Sequence, residues 1–137
     1  MSKLSMSLLV LGLAQEWGKQ VEQADPIAPL TFSVCGLWPA TAVESFVTEK
    51  IGVPKALMRQ GAIFADAMCH IATLPHCVIN GRLLIDEDIL REGGATDFAQ
   101  YRADPLKEPP RMMPRAFPSL RVAEEEEAGA QRSKAKL

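Results

Sequence analysis

Cysteine is scarce in this 137-residue chain: there are three, an odd number that cannot close into a disulfide framework. A small secreted scaffold is therefore excluded, and a reducing, cytoplasmic location is expected. Charge of one sign is equally short. Fifteen Lys and Arg stand against seventeen Asp and Glu for a net charge of −2, so no broad attraction for nucleic acid or an anionic membrane surface is expected. Long apolar runs are missing too: none reaches the about 18 residues that would span a bilayer. With 47% apolar residues the chain can build one core but not two.

Leu4, Leu8, Leu11, Ala14, Trp17 and Val21 recur at three- and four-residue spacing, which predicts an amphipathic helix rather than a short signal peptide. Asp25-Pro26-Ile27-Ala28-Pro29 breaks it. Residues 30–34 then read as a short buried strand, and Pro39 fits the first turn of a helix whose stripe is Ala42, Val43, Phe46, Val47 and Ile51. Residues 55–61 fit an edge strand or a helix start, and residues 62–71 are helical in composition. Leu74-Pro75, Val78-Ile79, the turn pair Asn80-Gly81 and residues 83–85 predict a hairpin, and Asp86-Glu87-Asp88 an acidic start to a last helix.

From Asp104 onward prolines crowd together, followed by an acidic run over residues 124–127. Such a segment buries too little to offset its ordering entropy, so residues 104–137 are expected to form a disordered tail on a domain of residues 1–103. Met112, Met113, Phe117 and Leu120 are the side chains in it that could dock.

The chemistry-bearing residues cluster around Cys35-Gly36-Leu37-Trp38-Pro39 and Leu74-Pro75-His76-Cys77. A cysteine at a helix N-terminus would be driven toward thiolate, the nucleophile of disulfide exchange. The same cysteine reads equally well as a small buried hydrophobe. Cys69, His70, His76 and Cys77 gather four possible metal donors, but the adjacent Cys-His pairs suit a tetrahedral site poorly, and no metal is expected.

In order and spacing these segments resemble the thioredoxin-like family, in particular glutaredoxin-like domains and the N-terminal domain of the alkyl hydroperoxide reductase flavoprotein subunit. The resemblance covers residues 4–103, with Trp38 standing where the family's second cysteine belongs. It implies an α/β fold with a thioredoxin-like central sheet flanked by helices, a cis bond between Leu74 and Pro75, and Cys35 as the nucleophile of a monothiol or degenerate thiol-disulfide oxidoreductase. Trp38, Pro39, Leu74, Pro75 and His76 would dock a protein or small-thiol disulfide substrate, and Cys77 could act as resolving thiol. No cofactor is expected; Gly93-Gly94-Ala95-Thr96-Asp97 partly resembles a glutathione-holding run but lies several residues too far along.

Two other readings compete. Trp38 beside Cys35 suits a redox-inactive, partner-binding version of the same fold. Ile51-Gly52-Val53-Pro54-Lys55 and the residues up to Arg59 resemble the turn and recognition helix of excisionase-like winged helix-turn-helix proteins, with Lys55, Arg59 and Gln60 as base-reading groups and residues 76–85 as the wing.

Overall fold

Two parallel strand pairs organise the chain, each joined by a crossover long enough to carry helical turns. The computed structural model describes residues 2–23 and 32–115, with the backbone alone described for 18–23. Helix α1 (Lys3–Gln23) precedes strand β1 (Gly36–Trp38), the two-residue β2 (Ala42–Val43) and the short α2 (Phe46–Lys50). A 3-10 turn at Lys55–Leu57 runs into β3 (Met58–Arg59). Then come α3 (Ala62–Thr73), one turn of helix α4 (His76–Ile79), β4 (Leu83–Ile85), α5 (Asp86–Glu92) and a 3-10 turn at Ala99–Tyr101.

Strand β1 pairs in parallel with β4, Gly36 opposite Leu83 and Trp38 opposite Ile85, and β2 pairs in parallel with β3. Parallel neighbours cannot be joined by a tight turn, which is why helical segments lie between the partners. The architecture is α/β: small parallel sheets flanked by helices. Ile63, Ala67 and Ile71 recur every four residues on α3 and meet Ile89 and Leu90 of α5; Ile79, Leu84, Phe98 and Tyr101 complete this core. Among the described residues no helix is long and apolar enough to cross a membrane.

The helices expected at residues 4–21, at 62–71 and from Asp86 are present as α1, α3 and α5. The thioredoxin-like arrangement is not. Cys35 does not close a strand and open a helix, because Gly36, Leu37 and Trp38 themselves form β1. Pro39 starts no helix either. Ala42 and Val43 are drawn into pairing with β3, and α2 begins only where Ser45 can cap it: Ser45 Oγ accepts from the Thr48 N–H while Thr48 Oγ1 accepts from the Ser45 N–H. Phe46, Val47 and Ile51, read as a core stripe, are 77%, 63% and 69% exposed.

The expected hairpin is replaced by α4 and a parallel strand, and no peptide bond among the described residues is cis, the one before Pro75 included. Gly81, at φ +71°, donates its N–H to the Val34 carbonyl, and the Asn80 side-chain oxygen accepts from the Val34 N–H. The Asn-Gly turn is thus bonded to the approach to β1 and delivers β4 alongside it in parallel. The winged-helix reading is corrected as well: Lys55 lies in a single 3-10 turn, and Arg59 is a strand residue only 2% exposed, so neither sits on a recognition helix.

Bonding to the body of the fold continues past residue 103. Glu108 pairs with Arg59, Arg111 with Asp88, and the Met112 and Met113 N–H groups donate to the Ala40 carbonyl. The remainder of the expected tail, residues 116–137, and the start of the strand expected at 30–34 lie outside the described residues.

Candidate functional site

The carboxyl ends of parallel strands are where open α/β sheets receive ligands, because the strand-to-helix turns there leave a crevice and free backbone groups. In this chain that edge is formed by the residues after β1, Pro39, Ala40 and Thr41, and by Asp86 at the end of β4. Asp86 is 1% exposed. Its Oδ1 accepts from the Ala40 N–H and from the Glu87 N–H, both at 2.7 Å, so one buried carboxylate ties the two strand ends together. Burial pushes the Asp86 pKa up, and the two backbone hydrogen bonds only partly oppose that rise.

Segment 108–114 runs along the same edge as a strap. The Thr41 hydroxyl donates to the Pro110 carbonyl at 3.3 Å, and the Met112 and Met113 N–H groups reach the Ala40 carbonyl at 2.7 and 3.1 Å. Arg111 anchors the strap with a two-pronged bond to Asp88, at 2.7 and 2.6 Å, the planar geometry in which guanidinium and carboxylate match best.

Behind the strap lies a buried charge network. Arg59 donates through Nε to Glu87, through one terminal nitrogen to Glu108 and through the other to the Phe98 carbonyl. Burial works against the Arg59 charge, but the bonds to Glu108 and Glu87 overcome it and its pKa is raised. Burial likewise opposes the Glu108 charge, and the bonds from Arg102 and Arg59 overcome it, so its pKa is lowered. Arg91 lies over the Phe98 ring at 4.1 Å from its centre. Arg59, Glu87, Asp88, Arg91, Glu108 and Arg111 all border one open cleft of about 1030 Å³ beside β4. The network's prongs are spent on one another, so it holds the strap and α5 in place rather than presenting an unpaired charge.

The residues singled out from the sequence are dispersed by comparison. Cys35 packs partly against the core just before β1, and burial raises its pKa, the reverse of activation at a helix end. The Trp38 indole N–H donates to Ser7 Oγ at 3.2 Å, which fixes the ring against α1, and Pro39 follows it at the strand end. Leu74 packs on the core, Pro75 is exposed at the start of α4, and His76 Nδ1 shares a hydrogen bond of 2.9 Å with Ser33 Oγ. Cys69 and Cys77 are exposed, all three cysteines are free, and among the described residues no group of three or more His, Cys, Asp or Glu is placed to hold a metal. Limiting iodoacetamide at pH 7 is accordingly expected to label Cys69 and Cys77 ahead of Cys35, read by mass mapping; faster labelling of Cys35 would contradict its half-buried, less acidic thiol.

Sequence reading gave Arg59 a base-reading role and Asp86 and Glu87 only the start of a helix, and did not single out Arg111. One signal was available: Leu83-Leu84-Ile85 runs directly into Asp86-Glu87 with no turn residue between, so the carboxylates follow a buried strand without leaving it.

No protein-family model matches the chain. Curated relatives do: it is 32% identical over 106 residues to hydroxysteroid dehydrogenase-like protein 2 of Danio rerio and of Homo sapiens, a span of 76% of this chain but 23% and 22% of theirs. The chain spans less than a quarter of the length of these relatives. Among solved structures it resembles a dehydrogenase from Xanthomonas campestris (TM-score 0.65, 31% identity, 81% of this chain and 38% of that one). It also resembles a short chain dehydrogenase from Mycobacterium thermoresistibile (TM-score 0.62, 28% identity, 82% of this chain and 37% of that one). These similarities overturn the thioredoxin-like and glutaredoxin-like reading, and the thiol-disulfide oxidoreductase with it. They favour neither the redox-inactive thioredoxin module nor the winged-helix DNA binder.

Proposed function

We propose that this chain is a segment of a dehydrogenase of the short-chain type, in which it supplies the β1–β4 pair and the strand ends at Ala40 and Asp86. The observation that carries the reading is the superposition of four-fifths of the chain on two dehydrogenases at 31% and 28% identity. A dehydrogenase passes a hydride, a hydrogen with its bonding electron pair, from the alcohol carbon to an acceptor while the hydroxyl proton leaves. Such chemistry needs the acceptor and the alcohol held at one edge. Pro39, Ala40 and Thr41 lie at the carboxyl end of β1, where an open parallel sheet binds ligands.

The glycine fingerprint that cradles a dinucleotide pyrophosphate, Gly-x-Gly-x-x-Gly, occurs nowhere in the 137 residues. Residues of this chain therefore do not fit the phosphate end of a dinucleotide, and their part is to shape the strand-end edge. The Thr41–Pro110 and Ala40–Met112 bonds hold the strap there.

The test is a chimera in which residues 2–115 replace the matched segment of the Mycobacterium thermoresistibile enzyme. It is expected to oxidise at least one alcohol that the parent oxidises, with a hydroxysteroid in the panel because the curated relatives carry that name. A chimera that folds, by circular dichroism and gel filtration, yet reduces no nicotinamide dinucleotide with any of those alcohols would sink the proposal.

A further inference from the structure

Helix α2 has five residues and buries none of them. Phe46, Val47 and Ile51 are each more than three-fifths exposed, so three large apolar side chains stand in water on one short element. Exposed apolar residues scattered singly need no account, but three grouped on a helical turn mark a contact surface. So short a helix gains little from its own hydrogen bonds. What keeps α2 formed is local: the capping box between Ser45 and Thr48, and the Thr48 hydroxyl, which donates to the Val43 carbonyl at 3.1 Å. None of these bonds involves the apolar side chains.

The face has a cation within it. At 3.6 residues per turn Lys50 falls between Phe46 and Val47 around the helix axis, whereas Glu49 falls on the far side. Lys55 follows beyond Pro54 with its side chain 74% exposed, and its ion pair with Glu44 is long, at 3.9 Å. One segment of the same chain matches this surface in order and sign. Phe117, Leu120 and Val122 are followed by four consecutive glutamates, residues 124–127. The tether is short as well. The Met113 N–H donates to the Ala40 carbonyl at 3.1 Å, which fixes the strap six residues before Phe46. The nine residues from Met113 to Val122 can extend about 30 Å, against about 20 Å at most for the six from Ala40 to Phe46. A tether of this kind holds a segment at an effective concentration of about millimolar. A second copy is the weaker occupant, because a two-fold contact sets the face against itself and brings lysine to lysine.

We propose that the Phe46, Val47 and Ile51 face of α2 is a docking site for residues 117–127 of the same chain. Phe117, Leu120 and Val122 cover the apolar group, and the glutamates lie beside Lys50 and Lys55. The proposal does not depend on the dehydrogenase reading, since neither the face nor the segment enters that argument.

The experiment places a benzophenone photocrosslinker at position 117 of the full chain and maps its adducts by mass spectrometry. Mixing isotope-labelled with unlabelled chains separates adducts within a chain from adducts between chains. Adducts within the chain at residues 46–55 are expected. Lys50→Glu with Lys55→Glu is expected to cut their yield about tenfold, as the face then repels the glutamates. Replacing residues 124–127 by lysine in that background is expected to restore the yield, a rescue that damage to the fold does not produce. Hydrogen exchange gives a second readout without the crosslinker. The Lys50 and Ile51 amides are expected to exchange about tenfold faster in the variant Phe117→Ser, Leu120→Ser, Val122→Ser than in the native chain. Adducts elsewhere in the chain, no adducts, no charge-reversal rescue, or exchange that the triple variant leaves unchanged would overturn the proposal. So would adducts between chains alone, which give the face to a second copy. Sedimentation of the native chain with phosphatidylcholine and phosphatidylserine vesicles, abolished by Phe46→Ser with Ile51→Ser, would also overturn it, since the face would then belong to lipid.

Discussion

Arg59→Met is expected to destabilise the fold by about 3–5 kcal/mol, the usual cost of leaving one member of a buried ion pair behind. The Arg59 and Glu87 side chains are 3% and 7% exposed, and Glu87 is left with the longer 3.7 Å contact to the half-exposed Arg91. The Phe98 carbonyl loses a donor in the same step, and Glu108 keeps only Arg102. Urea unfolding at pH 7 followed by circular dichroism measures the loss. A second variant, Arg59→Met with Glu87→Leu, is expected to recover most of it, because removing both charges also removes the burial penalty. A loss under about 1 kcal/mol in the single variant would mean that Glu87 reaches water and that the network is a surface one. Hydrogen exchange adds a local readout, since the Met112 and Met113 amides should exchange faster once the Glu108 end of the strap is freed.

Asp86→Ala is expected to cost about 2–4 kcal/mol, because it orphans the N–H groups of Ala40 and Glu87, each worth about 1–3 kcal/mol when left unpaired. Asp86→Asn keeps an acceptor at the same place and should cost on the order of 1 kcal/mol. The pair also separates by pH. Burial raises the Asp86 pKa, so the folded state holds its proton more tightly than the unfolded chain. The stability this contributes is fully present below the ordinary Asp value of about 3.9 and is lost as pH rises through the raised one. The Asn variant has no such slope, so the advantage of the native chain over it should be largest in acid and shrink as pH rises through that window. Glu108 acts in the opposite sense: its lowered pKa gives stability that is present above the ordinary Glu value and lost as pH falls through the lowered one. Melting curves of native chain, Asp86→Asn and Glu108→Gln from pH 3 to 7 distinguish the two contributions. A gap between native and Asp86→Asn that widens with pH would show that burial does not raise the Asp86 pKa.

Helices α3 and α5 were legible because their signals are local. Ile63, Ala67 and Ile71 mark a face within one window, and three carboxylates at the start of α5 suit the positive end of a helix. The short strands were not. Three residues of β1 and two of β2 carry too little periodicity to separate a strand from a helix start, so an apolar run into Cys35 and Pro39 read as an active-site turn. Asn80-Gly81 was read correctly as a turn but assigned the wrong partner. Turn chemistry fixes a local bend, and the strand that β4 then meets is decided by contacts elsewhere. The anchoring of the strap was not legible for a similar reason: prolines and charges signal poor self-burial, while Arg111 is held by Asp88 on another element.

The sequence by itself determined the α/β alternation, the presence of α3 and the start of α5, and the absence of any bilayer-length apolar run, because each depends on residues within a few turns of one another. The tertiary structure alone decided that β1 and β4 run parallel, that Asp86 ties their ends, and that Arg59 is buried between partners 28 and 49 residues away in sequence. A charged side chain looks solvated in any local window. Whether it is instead paired and desolvated depends on what distant chain segments bring to it, and no spacing rule carries that information.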